Sequence, residues 1–231
     1  MNGWAKPAVA ELIGTYALIF MGAGSIVATQ GQNLVAIAFA HGLAIAVSVL
    51  SLGKISGGHF NPAVTIAILV TGKIGVTTAV IYIISQLLGA VLAGFSLVYF
   101  FPPGMVGTAA LGNPALAPDL PLVSGIMIEL VLTFFLVLVI FGTAVDSRGL
   151  GNLAGLAIGL TITMDILAAG ALTGAAMNPA RAFGTAVPGA LVIGGGEFLA
   201  NHVVYWVGPI IGGAFAGLLY DLLFLEKQQA S

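Results

Sequence analysis

The stretch that decides the fold runs Ile55-Ser56-Gly57-Gly58-His59-Phe60-Asn61-Pro62-Ala63-Val64-Thr65. Its serine and glycines favour an irregular backbone, and Asn61 followed by Pro62 is typical of a helix start. The same triplet recurs 117 residues later as Asn178-Pro179-Ala180, after Thr173-Gly174-Ala175-Ala176-Met177. Both copies interrupt apolar sequence. The pattern therefore predicts two short helices that begin inside a hydrophobic environment.

The composition indicates an integral membrane protein. Hydrophobic residues make up 59% of the chain and charged residues 6%, and the mean hydropathy is +1.14. A soluble domain carries about 25% charged residues, so this chain could not cover a water-exposed surface. The chain has no cysteine, which excludes disulfides and cysteine-based metal or catalytic sites.

The apolar segments predict an all-α membrane protein with six transmembrane helices plus two re-entrant half-helices. A helix needs about 20 mainly apolar residues to cross the hydrocarbon core. The six segments that qualify are residues 7–28, 34–53, 76–100, 122–145, 150–170 and 200–224.

The two halves of the chain align with each other. Glu11 matches Glu129 at an offset of 118, the triplets match at 117, and Gly89 matches Gly212 at 123. Each half has three spans, so the second half enters the membrane upside down relative to the first. We predict a single domain over 1–231 built from inverted repeats at about 7–100 and 122–225. Such repeats usually place a functional site at the midplane between them.

Each triplet begins a half-helix. From Ala63 to about Thr71 the first would span ~15 Å, half of the ~30 Å core. The second begins at Asn178 and ends at Pro188-Gly189. The two half-helices enter from opposite faces and should meet at their N-termini. Irregular backbone at this depth must line a cavity or be buried in protein. We therefore expect the carbonyl groups before each triplet to line a pore, namely those of Gly57, Gly58, His59, Gly174, Ala175 and Ala176.

The basic residues predict the orientation. Lys6, Lys54, Lys73, Arg148 and Lys227 fall on one side of a six-span chain, and Arg181 alone falls on the other. The positive-inside rule makes the first side cytoplasmic, so both termini are expected there.

On these residues the chain resembles the aquaporin (major intrinsic protein) family over its whole length. Locally it is most similar to plant vacuolar-type aquaporins, through 55–65, through Asp165-Ile166-Leu167-Ala168-Ala169-Gly170 and through Met177-Asn178-Pro179-Ala180-Arg181. The resemblance implies a pore in every subunit and a homotetramer. It also implies passive movement of water, with ammonia or other small neutral solutes as further cargo and with protons and ions excluded.

The resemblance further implies a narrow selectivity filter of four residues, identified here by their spacing from Asn178. These are His41, Ile166, Ala175 and Arg181. Arg181 is a permanent cation with five donors, and His41 can donate or accept. In water-selective animal relatives the place of His41 is typically taken by Phe, so a wider filter is expected here.

Other functions remain as alternatives. A glycerol or small-polyol facilitator of the same family usually has Asp after the filter arginine, where this chain has Ala182. An ion-coupled secondary transporter would need polar clusters at the midplane, and a closed junctional protein would need a blocked pore. We expect no enzyme activity, because no nucleophile–base pair or metal cluster is evident in the spans. The expected partners are water, small neutral solutes and the bilayer. We expect no cofactor, metal or nucleic acid. The protein is expected in the cell membrane rather than in an organelle membrane.

The sequence also places acids inside the spans. Glu11 and Glu129 occupy repeat-equivalent positions, and we expect each to accept backbone hydrogen bonds from the loop before a half-helix, rather than to relay protons. Asp165 stands beside Ile166 where plant relatives often have Asn. Three alternatives are open for it: a hydrated position near the outer interface, a pair with His202, or tuning of the filter.

Overall fold

Six helices form the frame of the protein in a computed structural model that describes residues 3–194 and 196–226. In this part of the chain six helical segments are long and apolar enough to cross a membrane: Ala5–Thr29, Leu34–Ser56, Val76–Phe100, Leu122–Val145, Gly151–Thr173 and Gly196–Leu223. Each overlaps one predicted span, so the predicted all-helical fold with six spans is confirmed. Lys227, one of the residues used to predict the orientation, lies outside the described residues.

The α-helices in chain order are α1 Ala5–Thr29, α2 Leu34–Ser56, α3 Pro62–Val70, α4 Val76–Phe100, α5 Pro103–Thr108, α6 Leu122–Ile140, α7 Ala154–Thr173, α8 Pro179–Pro188 and α9 Val204–Leu223. Helices α3 and α8 are the two half-helices, and each begins at the Pro of its triplet. A π-helical turn, Phe141–Val145, extends α6 to the end of its span. The short helix α5 was not predicted.

The packing of the helices repeats between the halves. Helix α1 packs against α2 and α4, and in the same way α6 packs against α7 and α9. Each half-helix packs against a span of the other half: α3 packs against α9, and α8 packs against α4. Helices α2 and α7 complete the contact between the halves. The half-helices are therefore enclosed by spans from both halves.

Glycines allow these helices to approach closely at equivalent places. A Cβ on Gly89 of α4 would overlap the carbonyl of Leu12, and a Cβ on Gly212 of α9 would overlap the carbonyl of Leu130. Backbone carbonyls in packed helices cannot move aside cheaply, so only glycine fits.

The α6–α7 connection is fixed to the end of α9. Asp146 accepts hydrogen bonds from Arg148 through Nη2 (2.6 Å) and Nε (3.0 Å). Arg148 also donates to the carbonyl of Phe224 (2.6 Å) and to Glu226 (2.8 Å). The hydrogen bonds from Arg148 hold the pKa of Asp146 well below its usual range. A depressed pKa keeps the Asp146 carboxylate charged even at a pH below the pKa that it has in the unfolded chain. The contribution of this contact to stability is therefore fully present at neutral pH and is lost only as the pH falls into strong acid.

We expect Gly212→Ala to lower the midpoint of thermal unfolding in detergent, because the new methyl group must displace the Leu130 carbonyl. Overpacking of this kind destabilises by ~1–3 kcal/mol. Gly107→Ala in α5, where a Cβ would meet nothing within 4 Å, is the matched control and should leave the midpoint unchanged. Equal midpoints for the two variants would contradict the close-approach argument.

Candidate functional site

Two irregular loops lead into the half-helices with the same backbone path. The residue that follows helix α2 is Gly57 with φ +95°, and the residue that follows helix α7 is Gly174 with φ +82°. The residue directly before each Asn, Phe60 or Met177, has φ of +50° or +51°. A left-handed conformation costs a residue with a side chain roughly 1–2 kcal/mol, so the surrounding contacts must hold it in place.

The carboxylates of Glu11 and Glu129 provide these contacts. Glu11 accepts hydrogen bonds from the backbone N–H groups of His59 (3.0 Å) and Phe60 (2.7 Å). Glu129 accepts from those of Ala176 (2.9 Å) and Met177 (2.7 Å). Both acids are completely buried. Each carboxylate therefore satisfies donors that no regular structure could satisfy at this depth.

Hydroxyl groups extend both clusters, and single-residue analysis of the sequence missed them. Ser56 donates to Glu11 (2.6 Å) and Thr173 donates to Glu129 (2.7 Å). Tyr82 donates to the Ser56 carbonyl (2.7 Å), and Tyr205 donates to the Thr173 carbonyl (2.9 Å). Their equivalent places in the repeat, at offsets of 117 and 123, were the signal that could have identified them.

The two Asn side chains cap their own half-helices and join the halves. The Oδ1 atom of Asn61 accepts from the N–H of Ala63 (2.8 Å), and that of Asn178 accepts from Ala180 (2.9 Å) and Arg181 (3.3 Å). The Nδ2 atom of Asn61 donates to the carbonyl of Met177 (2.8 Å).

The reciprocal bond runs from Nδ2 of Asn178 to the carbonyl of Phe60 (2.9 Å). The left-handed residues thus turn their carbonyls toward the opposite half. An Asn amide has two N–H groups, so each Asn keeps one for a solute. Pro62, Ala63, Pro179 and Ala180 are buried beside the two Asn side chains.

A narrow central cavity passes these residues, with space for the centres of water molecules of about 30 Å³. One water centre needs roughly 10–15 Å³, so the cavity fits a short file of water-sized molecules. Its polar side chains are His41, His59, Asn61, Asn178 and Arg181. The remaining wall is mainly apolar, and includes Leu18, Ile45, Val64, Leu136, Ile140, Ile158, Ile162 and Ile166.

Wider cavities adjoin the central one at both ends. One of about 170 Å³ shares Gly58, His59 and Val64 with it and reaches Lys73. The other, of about 290 Å³, shares Ile166 and Arg181 with it and reaches the loop at 113–115. The three cavities describe a path through the chain from the Lys73 end to the Arg181 end.

The residues predicted to supply carbonyls are distributed along this path. Gly58, His59, Ala175 and Ala176 border the central cavity. Gly57 instead borders the cavity at the Lys73 end, and Gly174 borders the one at the Arg181 end.

The structure brings together all four predicted filter residues, His41, Ile166, Ala175 and Arg181, on the wall of the central cavity. The Nδ1 atom of His41 lies 2.9 Å from the carbonyl of Ile37. A carbonyl can only accept, so Nδ1 carries the proton and Nε2 is an acceptor in the neutral ring. Within the described residues, His41 Nε2 and Arg181 Nη1 are buried without a hydrogen-bond partner. The wall therefore offers a solute an acceptor and a donor.

Gly22 makes room for the imidazole of His41, which the sequence did not indicate. A Cβ on Gly22 would overlap the Cδ2 atom of His41.

Asp165 is only 3% exposed, and its Oδ2 has no hydrogen-bond partner among the described residues. The nitrogen Nδ1 of His202 instead accepts from Trp206 Nε1 (3.0 Å). The pair of Asp165 with His202 is therefore wrong, and the hydrated position and the tuning of the filter stay predictions. Burial of this kind is set by the rotation of α7, which the hydropathy of the sequence does not reveal.

A third Asn-Pro-Ala triplet, Asn113-Pro114-Ala115, has no counterpart in the repeat. It begins no helix and lies in the loop before α6. Asn113 accepts from Thr185 of α8 (3.0 Å), and Pro114 packs so closely on Gly174 that a Cβ there would clash. This loop therefore braces the half-helix that carries Arg181.

No cluster of three or more potential metal ligands occurs among residues 3–194 and 196–226.

Comparison with known proteins agrees with this geometry. The profile of the family described as "Major intrinsic protein" matches residues 2–220. Aquaporin TIP2-1 of Arabidopsis thaliana is 43% identical, over 96% of this chain and 88% of the relative. Aquaporin TIP2-3 of Zea mays is 41% identical, over 97% of this chain and 90% of the relative.

Among solved structures, the aquaglyceroporin from Plasmodium falciparum superimposes with a TM-score of 0.86 at 25% identity, covering 95% of this chain and 96% of that one. With six membrane-spanning helices, two opposed half-helices and a matching profile over nearly its full length, the chain belongs to the major intrinsic protein family.

Proposed function

We propose that this protein is a passive channel for water, with ammonia and other small neutral solutes as further permeants. The observation that carries the proposal is the central cavity, which has room for a short file of waters and is lined by buried polar atoms without partners among the described residues. Such atoms are costly unless a solute satisfies them. Water can donate to His41 and accept from Arg181, and so can ammonia.

Protons and cations are excluded by the charges around the path. The half-helices direct the positive ends of their dipoles at the central cavity, and the remaining amide hydrogens of Asn61 and Asn178 reinforce them. A water that accepts from both Asn side chains cannot pass a proton along a hydrogen-bonded file. Arg181 adds a full positive charge close by.

Glycerol transport is not favoured. The space in the central cavity is small for a three-carbon polyol, and Ala182 supplies no acid beside the arginine. Similarity to an aquaglyceroporin structure at 25% identity supports the fold, and the more similar relatives are described as aquaporins.

The protein is an integral multi-pass membrane protein of a channel family. We propose that both termini face the cytoplasm, from the distribution of basic residues, and that four copies assemble as the family resemblance implies. The preference for the cell membrane over an organelle membrane gains no support from the comparisons, and we do not propose it.

Stopped-flow swelling of proteoliposomes tests the channel function. We expect water permeability well above that of empty vesicles, with a low activation energy and no dependence on sodium or proton gradients. Ile166→Trp should close the path, since the indole would fill the central cavity. Leu167→Trp is the matched control, because this neighbour is 43% exposed on the outer surface. Flux that requires an ion gradient would instead support a coupled transporter.

Replacing Arg181 tests the role of the buried cation. Arg181→Val should raise the leak of cations by roughly tenfold or more while water flux is kept, because one charge at close range in a protein is worth several kcal/mol. The leak of glycerol should rise as well, because Val is smaller than Arg and leaves more room in the central cavity. The measurement is parallel light-scattering and ion-flux assays on the same vesicles. An unchanged solute profile would show that Arg181 does not act in the filter.

Replacing His41 tests the width and polarity of the same region. His41→Phe removes the Nε2 acceptor and adds bulk, so ammonia flux should fall more than water flux, measured with an internal pH dye beside light scattering. Gly22→Ala should act in the same direction, because its Cβ would push the imidazole out of place. Equal losses of water and ammonia flux in His41→Phe would argue against a filter role.

A further inference from the structure

A buried chain of hydrogen bonds connects Glu11 to the side chain of His59. Nε2 of Gln86 lies 2.7 Å from Oε2 of Glu11 and 2.9 Å from Oγ1 of Thr65. Oγ1 of Thr65 lies 3.1 Å from Nδ1 of His59 and 3.0 Å from the carbonyl of Asn61. Glu11, Gln86 and Thr65 are completely buried, so water does not compete for these bonds.

The donors of this chain can be assigned from Glu11 outward. Two backbone N–H groups, which can only donate, already point at the Glu11 carboxylate. An ionised Glu11 can only accept, and in the structure the amide nitrogen of Gln86 faces it. The second N–H of the same nitrogen then donates to Thr65. The Oε1 atom of Gln86 is left buried without a hydrogen-bond partner among the described residues.

In the structure the one hydroxyl hydrogen of Thr65 is donated to the carbonyl of Asn61. With its hydrogen used there, Thr65 accepts from Gln86 and from His59, and this arrangement has the proton of His59 on Nδ1. We propose that Gln86 and Thr65 are positioning residues that fix the His59 tautomer, so that its other ring nitrogen, Nε2, presents a hydrogen-bond acceptor to the pore. The T-shaped contact between the rings of His59 and Tyr82, with centroids 5.2 Å apart, restrains the rotation of the imidazole.

This acceptor has a defined place along the path. His59 borders both the central cavity and the cavity at the Lys73 end, so it lies on the Lys73 side of the Asn donors. His41, whose Nδ1 is fixed by the Ile37 carbonyl, presents Nε2 on the other side. The two Asn donors thus lie between two histidine acceptors. A water at the centre accepts from the Asn side chains, and a water at either end donates to a histidine. The hydrogens of the waters on both sides therefore point away from the centre.

The second half of the protein has no such chain, which shows that the fold itself does not need it. The repeat offset of 117 pairs His59 with Ala176 and Thr65 with Ala182, and the offset of 123 pairs Gln86 with Pro209. None of these three can continue the chain by a side-chain hydrogen bond. Glu129 holds its loop with Thr173 and two backbone bonds. The added polar groups of the first half therefore serve the pore side chain.

Nitrogen NMR of ¹⁵N-histidine-labelled protein in lipid nanodiscs reads the tautomer directly. The His59 signals are identified by their loss in His59→Gln. We expect a protonated Nδ1 and an unprotonated Nε2 in the unaltered protein. Thr65→Val, which keeps the shape of the side chain but removes the acceptor, should shift the tautomer ratio toward Nε2–H by roughly fivefold, the worth of one hydrogen bond. Gln86→Leu should shift the ratio in the same direction.

Thr15→Val is the matched control, because Thr15 is as buried as Thr65 and donates only to the backbone carbonyl of Glu11. It should leave the His59 signals unchanged. A protonated Nε2 in the unaltered protein, or the same signals in Thr65→Val, would overturn the proposal.

The role in permeation rests on the proposed water channel and has its own measurement. Water permeability per channel should fall roughly two- to fivefold in Thr65→Val and stay unchanged in Thr15→Val. A shifted tautomer with unaltered water flux would overturn the water-orienting role. Failure of the unaltered protein to conduct water would overturn the proposed function, while the NMR result would still report on the tautomer.

Discussion

Everything in this pore depends on the satisfaction of backbone N–H groups that lie at membrane depth outside any helix. Glu11 and Glu129 accept these hydrogen bonds from within the spans, where neither water nor a neighbouring strand is available. The bonds hold Phe60 and Met177 in left-handed conformations and so direct their carbonyls across the interface between the halves. The opposed half-helices, and with them the exclusion of charge, follow from that arrangement.

Repetition and difference have separate roles in this molecule. The features that the halves share, namely the paired acids, the capping Asn residues and the Tyr–carbonyl bonds, build the path and make it symmetrical. The features that they do not share give each end of the path its chemistry. Arg181 has no counterpart in the first half, where the equivalent position is Val64, and the bonded histidine His59 has none in the second. The two ends of the path therefore differ chemically where the repeat is broken.

Much of the fold and of the pore could be predicted from the sequence, because apolar runs, helix-start residues and internal repetition can be recognised along the chain without knowledge of its folding. The six spans, the starts of both half-helices and the position of His41, Ile166, Ala175 and Arg181 at the central cavity are examples. The left-handed backbone at Phe60, the chain from Gln86 to His59 and the burial of Asp165 could not be predicted. They depend on how each helix is rotated against its neighbours, and polar residues within a span do not reveal their partners. The triplet at Asn113 shows that the motif alone does not predict a half-helix, because here it lies in a loop.

The reciprocal bonds between Asn61 and Met177 and between Asn178 and Phe60 also have a consequence for biogenesis. During synthesis the first half enters the membrane before residue 177 exists, so its capping amide and its exposed carbonyl lack their final partners. Neither half can reach its lowest free energy alone. An incomplete chain therefore lacks the two bonds that join the half-helices across the centre of the protein.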